Sequence, residues 1–275
     1  MNIQQKYENL KKYILSLESV SVAFSGGVDS TFLLKVANSV LKDKVIAITT
    51  KSQSFPKREL NQAIEFCRKE NIKHIICSSE ELTIEGFYKN PKNRCYLCKK
   101  ELFTKILKLA KINNIKHIVE GSNIDDISDY RPGLKAIEEL NIKSPLKFAN
   151  LNKIEIRSLS KELNLKSWDK PSFACLSSRF PYGEYITPKR LNMIDKAEQF
   201  LLDKGFKQVR VRYHNNLARI EIDESSFEVF NNKNLREEIY NKFKVLGFTY
   251  ISIDILGYRT GSMNETLVPE LTGNR

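Results

Sequence analysis

Two short runs and a scatter of cysteines and arginines carry residue types that can do chemistry. The first run, Ser25-Gly26-Gly27-Val28-Asp29-Ser30, has adjacent glycines that let the backbone turn tightly and aim its N–H groups at anionic oxygens. Ser25 and Ser30 add hydroxyl donors, and a helix opening at Val28 adds positive potential, so the run suits phosphate. Asp29 is suited to a Mg²⁺ held between phosphates. A lone glycine pair would be only a turn, but the full hexapeptide between a strand and a helix reads as a phosphate loop. Its spacing is neither Gly-x-x-x-x-Gly-Lys-Ser/Thr nor Gly-x-Gly-x-x-Gly, which excludes a Walker ATPase and a dinucleotide binder. The second run, Gly121-Ser122-Asn123-Ile124-Asp125-Asp126, is weak by itself, because Asp-rich loops are often simple turns.

Five cysteines, an odd number in a chain with no secretory signal, point to free thiols, catalysis or metal rather than a disulfide framework. Cys67 and Cys77 fall in apolar segments and read as core. Cys95 and Cys98 form Cys-Tyr-Leu-Cys, which alone is a redox pair, half a zinc site or coincidence. With Cys175 they offer three thiolates for one metal centre. A [4Fe–4S] cluster on three protein ligands leaves one iron open to a sulfide, whereas structural zinc wants four ligands and no fourth is evident. Arg210 and Arg212, two apart on a predicted strand, share one face and can hold a phosphate, with Arg179 a further candidate. The plainer reading is an exposed basic strand. Glu198, Glu221 and Asp223 can bind metal or position substrate, and as isolated acids read as solvated.

The elements that must position these groups follow from periodicity. Val20 to Phe24, Val45 to Thr50, Ile72 to Cys77 and His117 to Glu120 read as strands, and Val28 to Leu41, Pro56 to Glu70, Lys99 to Asn113 and Asn152 to Leu163 as helices. The alternation predicts an α/β fold with a parallel sheet, ligand groups gathering at the strand C-terminal ends. Residues 1–165 form this expected domain. Residues 166–186, rich in proline and aromatics and without periodicity, read as an interdomain loop carrying Cys175. Residues 187–275 are expected to form a smaller α+β domain: a helix from Thr187-Pro188, strands Gln208 to Tyr213 and Leu217 to Ile222, a helix Ser225 to Phe243 and a strand Thr249 to Leu256.

Forty-five Lys and Arg against thirty-three Asp and Glu leave a charge of +12, which favours anionic partners without choosing among them. Nine of the cations lie between Lys89 and Lys116 with one acid, Glu101, a run that reads as a solvated helix face. No stretch approaches the apolar length of a membrane span and the N-terminus has no signal-peptide pattern, so a cytoplasmic protein with no membrane partner is expected.

Ser-Gly-Gly-Val-Asp-Ser resembles the pyrophosphate loop (PP-loop) of the N-type ATP pyrophosphatases, and the run from Gly121 follows a strand as the Gly-x-Asn-x-Asp-Asp stretch of that superfamily does. The resemblance implies a Rossmann-like PP-loop domain that binds ATP and Mg²⁺ through Ser25, Gly26, Gly27, Val28, Asp29, Ser30, Thr49, Gly121, Asn123 and Asp125. Asn93-Arg94-Cys95-Tyr96-Leu97-Cys98-Lys99, Asp129-Tyr130-Arg131-Pro132-Gly133, Cys175-Leu176-Ser177-Ser178-Arg179-Phe180-Pro181-Tyr182-Gly183, Val209-Arg210-Val211-Arg212 and Gly257-Tyr258-Arg259 resemble the LarE family in the same order. These are ATP-dependent sulfur transferases of nickel-pincer nucleotide synthesis. The resemblance implies adenylation of a pyridinium carboxylate, then sulfur transfer, with Asp29 and Cys175 catalytic and Lys99, Arg179, Arg210 and Arg212 binding substrate.

One form of the family sacrifices the sulfur of a cysteine aligned with Cys175. This chain resembles instead the subset in which Cys95, Cys98 and Cys175 hold a [4Fe–4S] cluster. The implied partners are a small phosphorylated nucleotide, a sulfide donor and further copies of the chain in a homo-oligomer. A tRNA thiolase ranks second: it would explain the charge, but no zinc ribbon or RNA-binding module is evident. An ammonia-dependent ligase of the NAD-synthetase kind would leave three cysteines idle, and a non-enzymatic nucleotide sensor would release no pyrophosphate.

Overall fold

The computed structural model describes residues 1–127 and 132–267, and the chain divides into two compact units. The first comprises Met1–Glu81 and Asn93–Phe173, the second Leu82–Lys92 and Ala174–Arg275. The segment 166–186 is therefore divided, its first part going with the sheet domain and the part from Ala174 with the second unit. An excursion before Cys95, Leu82–Lys92, also joins the second unit. Asp129, Tyr130 and Arg131 lie outside the described residues.

The first unit is an α/β domain on a four-stranded parallel sheet ordered β3-β2-β1-β4, with β1 Val20–Ala23, β2 Val45–Lys51, β3 Lys73–Ser78 and β4 His117–Val119. The central strands β1 and β2 are almost wholly buried, as continuous apolar runs covered on both faces should be. One face carries helices α1 Ile3–Ser16, α2 Val28–Leu41, α3 Lys57–Lys69, and later α6 Pro145–Phe148 and α7 Lys153–Glu162, around a core that includes Leu10, Phe32, Leu34, Ala63, Leu146 and Ile156. The opposite face is covered by α4 Arg94–Ile112 and α5 Gly133–Glu139, with Phe103, Ile106 and Ile137 against Ile46, Ile48 and Ile118. Cys67 is buried in the first core, as expected. Cys77 is only half-buried, because β3 is an edge strand, and its thiol pairs with the Thr50 hydroxyl.

Chain order fixes where a ligand can enter. From β1 the sheet grows through β2 to β3, then returns to place β4 on the other side of β1. The loops leaving β1 and β4 consequently diverge at a topological switch point, where open α/β sheets form a crevice. These loops are Ser25–Gly27 and Gly121–Asn123.

In the second unit, β5 Val209–His214 and β6 Leu217–Ile222 form an antiparallel hairpin, and β7 Tyr250–Ile253 adds parallel to β6. Asn215 and Asn216 both adopt positive φ, 44° and 68°, as a two-residue hairpin turn requires and asparagine tolerates. Thr187 caps α8, Pro188–Asp203, through its hydroxyl. The helix expected over Ser225 to Phe243 is broken. A 3₁₀ segment covers Glu224–Asn231, and Asn232 then caps a separate α9, Lys233–Leu246, by accepting from Leu235 N. The excursion 82–92 is tied in by Ile186 N to Tyr88 O at 2.8 Å and Gly183 N to Asn90 O at 3.0 Å.

Candidate active site

Gly27 has extended backbone (φ −76°, ψ 169°) and α2 begins at Val28, so the phosphate loop runs directly into the helix N-terminus. Gly26 turns at φ +70°, where a side chain would be strained. Ser30 Oγ donates to Gly27 O at 3.2 Å and lies 3.1 Å from Ser25 Oγ, while Ser25 N donates to Ser30 Oγ at 3.4 Å. The serines thus brace the loop as well as offering hydroxyls. Thr49, at the end of β2, is buried; its hydroxyl donates to Phe24 O at 2.8 Å and meets His74 Nε2 at 2.8 Å. Burial holds the His74 imidazole below its ordinary value, which favours the neutral ring beneath the loop.

The loop from Gly121 meets the same helix N-terminus. A Cβ on Gly121 would sit 3.1 Å from Ser30 N and 3.3 Å from the Asp29 backbone, so close approach accounts for glycine there. Buried Glu120 organises this loop, accepting from Ser122 N at 3.1 Å, Ser122 Oγ at 2.7 Å and Ser144 Oγ at 2.5 Å. Asn123 Nδ2 lies 3.4 Å from Asp29 Oδ1, and Asn123 Oδ1 accepts from Asp125 N at 2.9 Å. Asp125 in turn accepts from Lys153 N at 2.8 Å, and Lys153 Nζ forms an ion pair with Asp29. Asp29, Asn123 and Asp125 are therefore brought together with a lysine that the sequence reading missed. Its signal was the capping pair Asn152 and Glu155, which starts α7 at Lys153.

Cys95 and Cys98 lie in the first two turns of α4, which begins at Arg94 rather than at the expected Lys99. Spacing of three places both half-buried thiols on one helix face. Pro91 and the positive φ of Asn90 end any earlier helix, and buried Arg94 anchors the start. Lys99, one turn on, lies against Gly133 at the start of α5, and Tyr96 Oη donates to Glu139 at 2.8 Å. Cys175 is in the second unit, half-buried, at the start of a 3₁₀ turn Leu176–Arg179. Among the described residues no three His, Cys, Asp or Glu side chains are gathered so as to hold a metal ion.

The second unit buries the arginines expected to bind substrate. Arg179 is fully buried, with Nε to Glu198 Oε1 at 2.7 Å and Nη2 to Glu198 Oε2 at 3.0 Å, and it donates to Ala174 O at 2.9 Å. Burial pushes the Glu198 carboxyl up, but Arg179 outweighs it and holds the group below its ordinary value. Arg212 donates to Glu221 at 2.6 Å and to Ser262 Oγ at 3.1 Å. Arg210 packs over the Tyr258 ring at 5.1 Å, and burial together with the Arg179 charge pulls its guanidinium down to about 10. Arg210 and Arg212 are buried rather than forming an exposed basic strand, and Glu198 and Glu221 are buried partners rather than solvated acids. Asp223 alone of the three acids stays partly exposed, accepting from Ser226 Oγ at 2.9 Å. Arg179 and Arg212 thus each hold a buried glutamate, and Glu221 is also paired with Arg219 at 3.2 Å.

Comparison with known proteins agrees with this geometry. A family model described as NAD synthase matches residues 2–117, the half of the sheet domain that carries the phosphate loop. The pyridinium-3,5-bisthiocarboxylic acid mononucleotide synthase of Lactiplantibacillus plantarum is 35% identical over 266 residues, 95% of both chains. The chain belongs to this synthase family, LarE. An uncharacterized protein of Synechocystis sp. is also similar, at 40% identity over 96% of this chain and 99% of that protein. Membership of the LarE family makes the chain an ATP-utilising enzyme with a PP-loop domain, which supports ATP with Mg²⁺ as cofactors. Among the described residues, no helix is long and apolar enough to cross a membrane.

Proposed function

We propose that the chain is an ATP-dependent sulfur transferase that converts a carboxylate of pyridinium-3,5-dicarboxylic acid mononucleotide into a thiocarboxylate. The observation that carries this reading is the phosphate loop at the switch point, with Asp29, Asn123, Asp125 and Lys153 converging beside it, in a chain that matches a pyridinium-3,5-bisthiocarboxylic acid mononucleotide synthase over 95% of its length.

A substrate carboxylate oxygen attacks the α-phosphorus of ATP, pyrophosphate leaves, and an acyl adenylate forms. Backbone N–H groups of Gly26 and Gly27 and the N-terminus of α2 stabilise the departing pyrophosphate. Asp29 would hold Mg²⁺, which would offset phosphate charge, and Lys153, paired with Asp29 beside the loop, is placed to meet phosphate oxygens. Sulfur then attacks the acyl carbon, and AMP leaves with one of the original carboxylate oxygens. Arg210 and Arg212 hold the substrate phosphate in the second unit, with Arg179 and Glu198 fixing their positions. Lys99, beside the thiols on α4, is a further contact for an anionic substrate.

The donor set of Cys95, Cys98 and Cys175 fits a [4Fe–4S] cluster. All three are half-buried thiols, the donor type that such a cluster takes. Cys95, Cys98 and Cys175 would hold such a cluster, which would supply an iron able to carry sulfide. The substrates are then a small nucleotide and a sulfide donor, and the working form is a homo-oligomer in the cytoplasm. Anaerobic incubation with Mg-ATP, sulfide and either the pyridinium mononucleotide or bulk tRNA tests the reading. Thiocarboxylate on the mononucleotide is expected, and thiolated nucleosides in digested tRNA with no small-molecule product would contradict it.

A further inference from the structure

Gly26 is held by a residue with no role in the chemistry above. Lys170, five positions before Cys175 in the chain, donates to Gly26 O at 3.0 Å, to Glu59 Oε2 at 2.6 Å and to Gln62 Oε1 at 2.6 Å. These three acceptors match the three protons of an ammonium, and the side chain is only 17% exposed. Its backbone is fixed as well: Arg157 donates from Nη1 to Trp168 O at 2.5 Å and from Nη2 to Lys170 O at 2.7 Å. A surface lysine is free to swing between solvent and neighbours, whereas this one is held at both ends.

The consequence lies in the peptide plane between Gly26 and Gly27. No peptide bond in the described residues is cis, and in a trans peptide the C=O of one residue and the N–H of the next point in opposite directions. Holding Gly26 O toward α3 turns the Gly27 N–H the other way. That N–H has only a marginal partner, Ser25 Oγ at 3.5 Å. Without a Cβ at either position, little else would stop the plane from rotating.

We propose that Lys170 is a positioning residue of the phosphate loop, locking the Gly26–Gly27 peptide so that the Gly27 N–H faces the β- and γ-phosphates. The inference rests on the reading of this loop as the ATP site. Lys170 thereby preorganises the donor before nucleotide arrives, and affinity lost on its removal should be confined to ligands that carry those phosphates.

Lys170 also neutralises buried Glu59, so Lys170→Met alone would leave a buried charge and lower stability for an unrelated reason. The informative variant is Glu59→Gln with Lys170→Met, which removes both charges. Calorimetric titration with Mg²⁺ and the non-cleavable α,β-methylene-ATP is expected to show at least a tenfold loss of affinity in the double variant. AMP affinity and melting temperature should stay near those of Glu59→Gln alone, and Lys170→Arg should recover part of the loss. Wild-type affinity for the ATP analogue in the double variant, or equal weakening of AMP and the analogue, would overturn the proposal. Failure of the unaltered chain to bind the analogue would overturn the phosphate-loop reading itself.

Discussion

Asp29 sits between two partners, Lys153 and Asn123, neither of which belongs to the hydrophobic core. Asp29→Asn should therefore abolish ATP-dependent pyrophosphate release while the thermal transition stays within a few degrees of the parent, as a coupled phosphate assay and a melting curve will show. Glu198 is different in kind, because its partner Arg179 is fully buried. Removing one member of a buried pair strands the other, at a cost of about 3–5 kcal/mol, so Glu198→Ala should move the urea midpoint sharply. The pH dependence has a definite sign. Arg179 holds the folded-state Glu198 carboxyl below its unfolded value of 4.5, so its contribution is complete above that pH and is lost as pH falls through the lower folded value. Unfolding free energies measured across this acid range should slope less steeply in Glu198→Gln. At this scale the loop serines, glycines and Asp29 were legible because their spacing is local. The burial of Glu198 and Glu221 was not, since it depends on arginines 19 and 9 residues away.

The helices and strands show which signals survive without tertiary information. α2 and β6 coincide with their expected bounds, one fixed by Gly27 ahead of an apolar helix and the other by alternation after an Asn-Asn turn. α1 was missed because its sequence is largely polar and only Lys6, Leu10 and Ile14 are buried, although Asn2 and Gln5 form a capping box. α4 begins at Arg94, ahead of the expected Lys99, because Cys-Tyr-Leu-Cys, weighed as a redox or metal motif, has a spacing of three that is also about one helical turn. α7 owes its start to Asn152, whose side chain accepts from Glu155 N at 2.8 Å, and this start places Lys153. Asn152→Ala should cost about 1 kcal/mol in urea unfolding and weaken ATP binding together with it. On α4, replacing Cys95 or Cys98 by Ala should strip iron from anaerobically purified protein without stopping pyrophosphate release. The intact chain should keep its mass through repeated turnover. Loss of the elements of H₂S at Cys175, with Cys95 and Cys98 dispensable, would show sacrificial sulfur donation instead.

Across the whole molecule, the parallel sheet was legible because buried central strands leave continuous apolar runs separated by helical periods. The division into two units was less so: an excursion of eleven residues, Leu82–Lys92, joins the second unit, and no compositional break marks it. The charge of +12 belongs to this scale too. If it is general attraction for anions, binding of tRNA should fall steeply between low and physiological salt, as counterion release requires, and yield no product. The central claim is that the substrate carboxylate itself attacks ATP at the α-phosphorus, and the fate of its oxygen tests this most directly. With the pyridinium mononucleotide labelled with ¹⁸O in its carboxylates, and Mg-ATP and sulfide supplied anaerobically, mass spectrometry of the released AMP should find one ¹⁸O in its phosphate for each thiocarboxylate formed. Unlabelled AMP, or ADP and phosphate in place of AMP and pyrophosphate, would contradict the account.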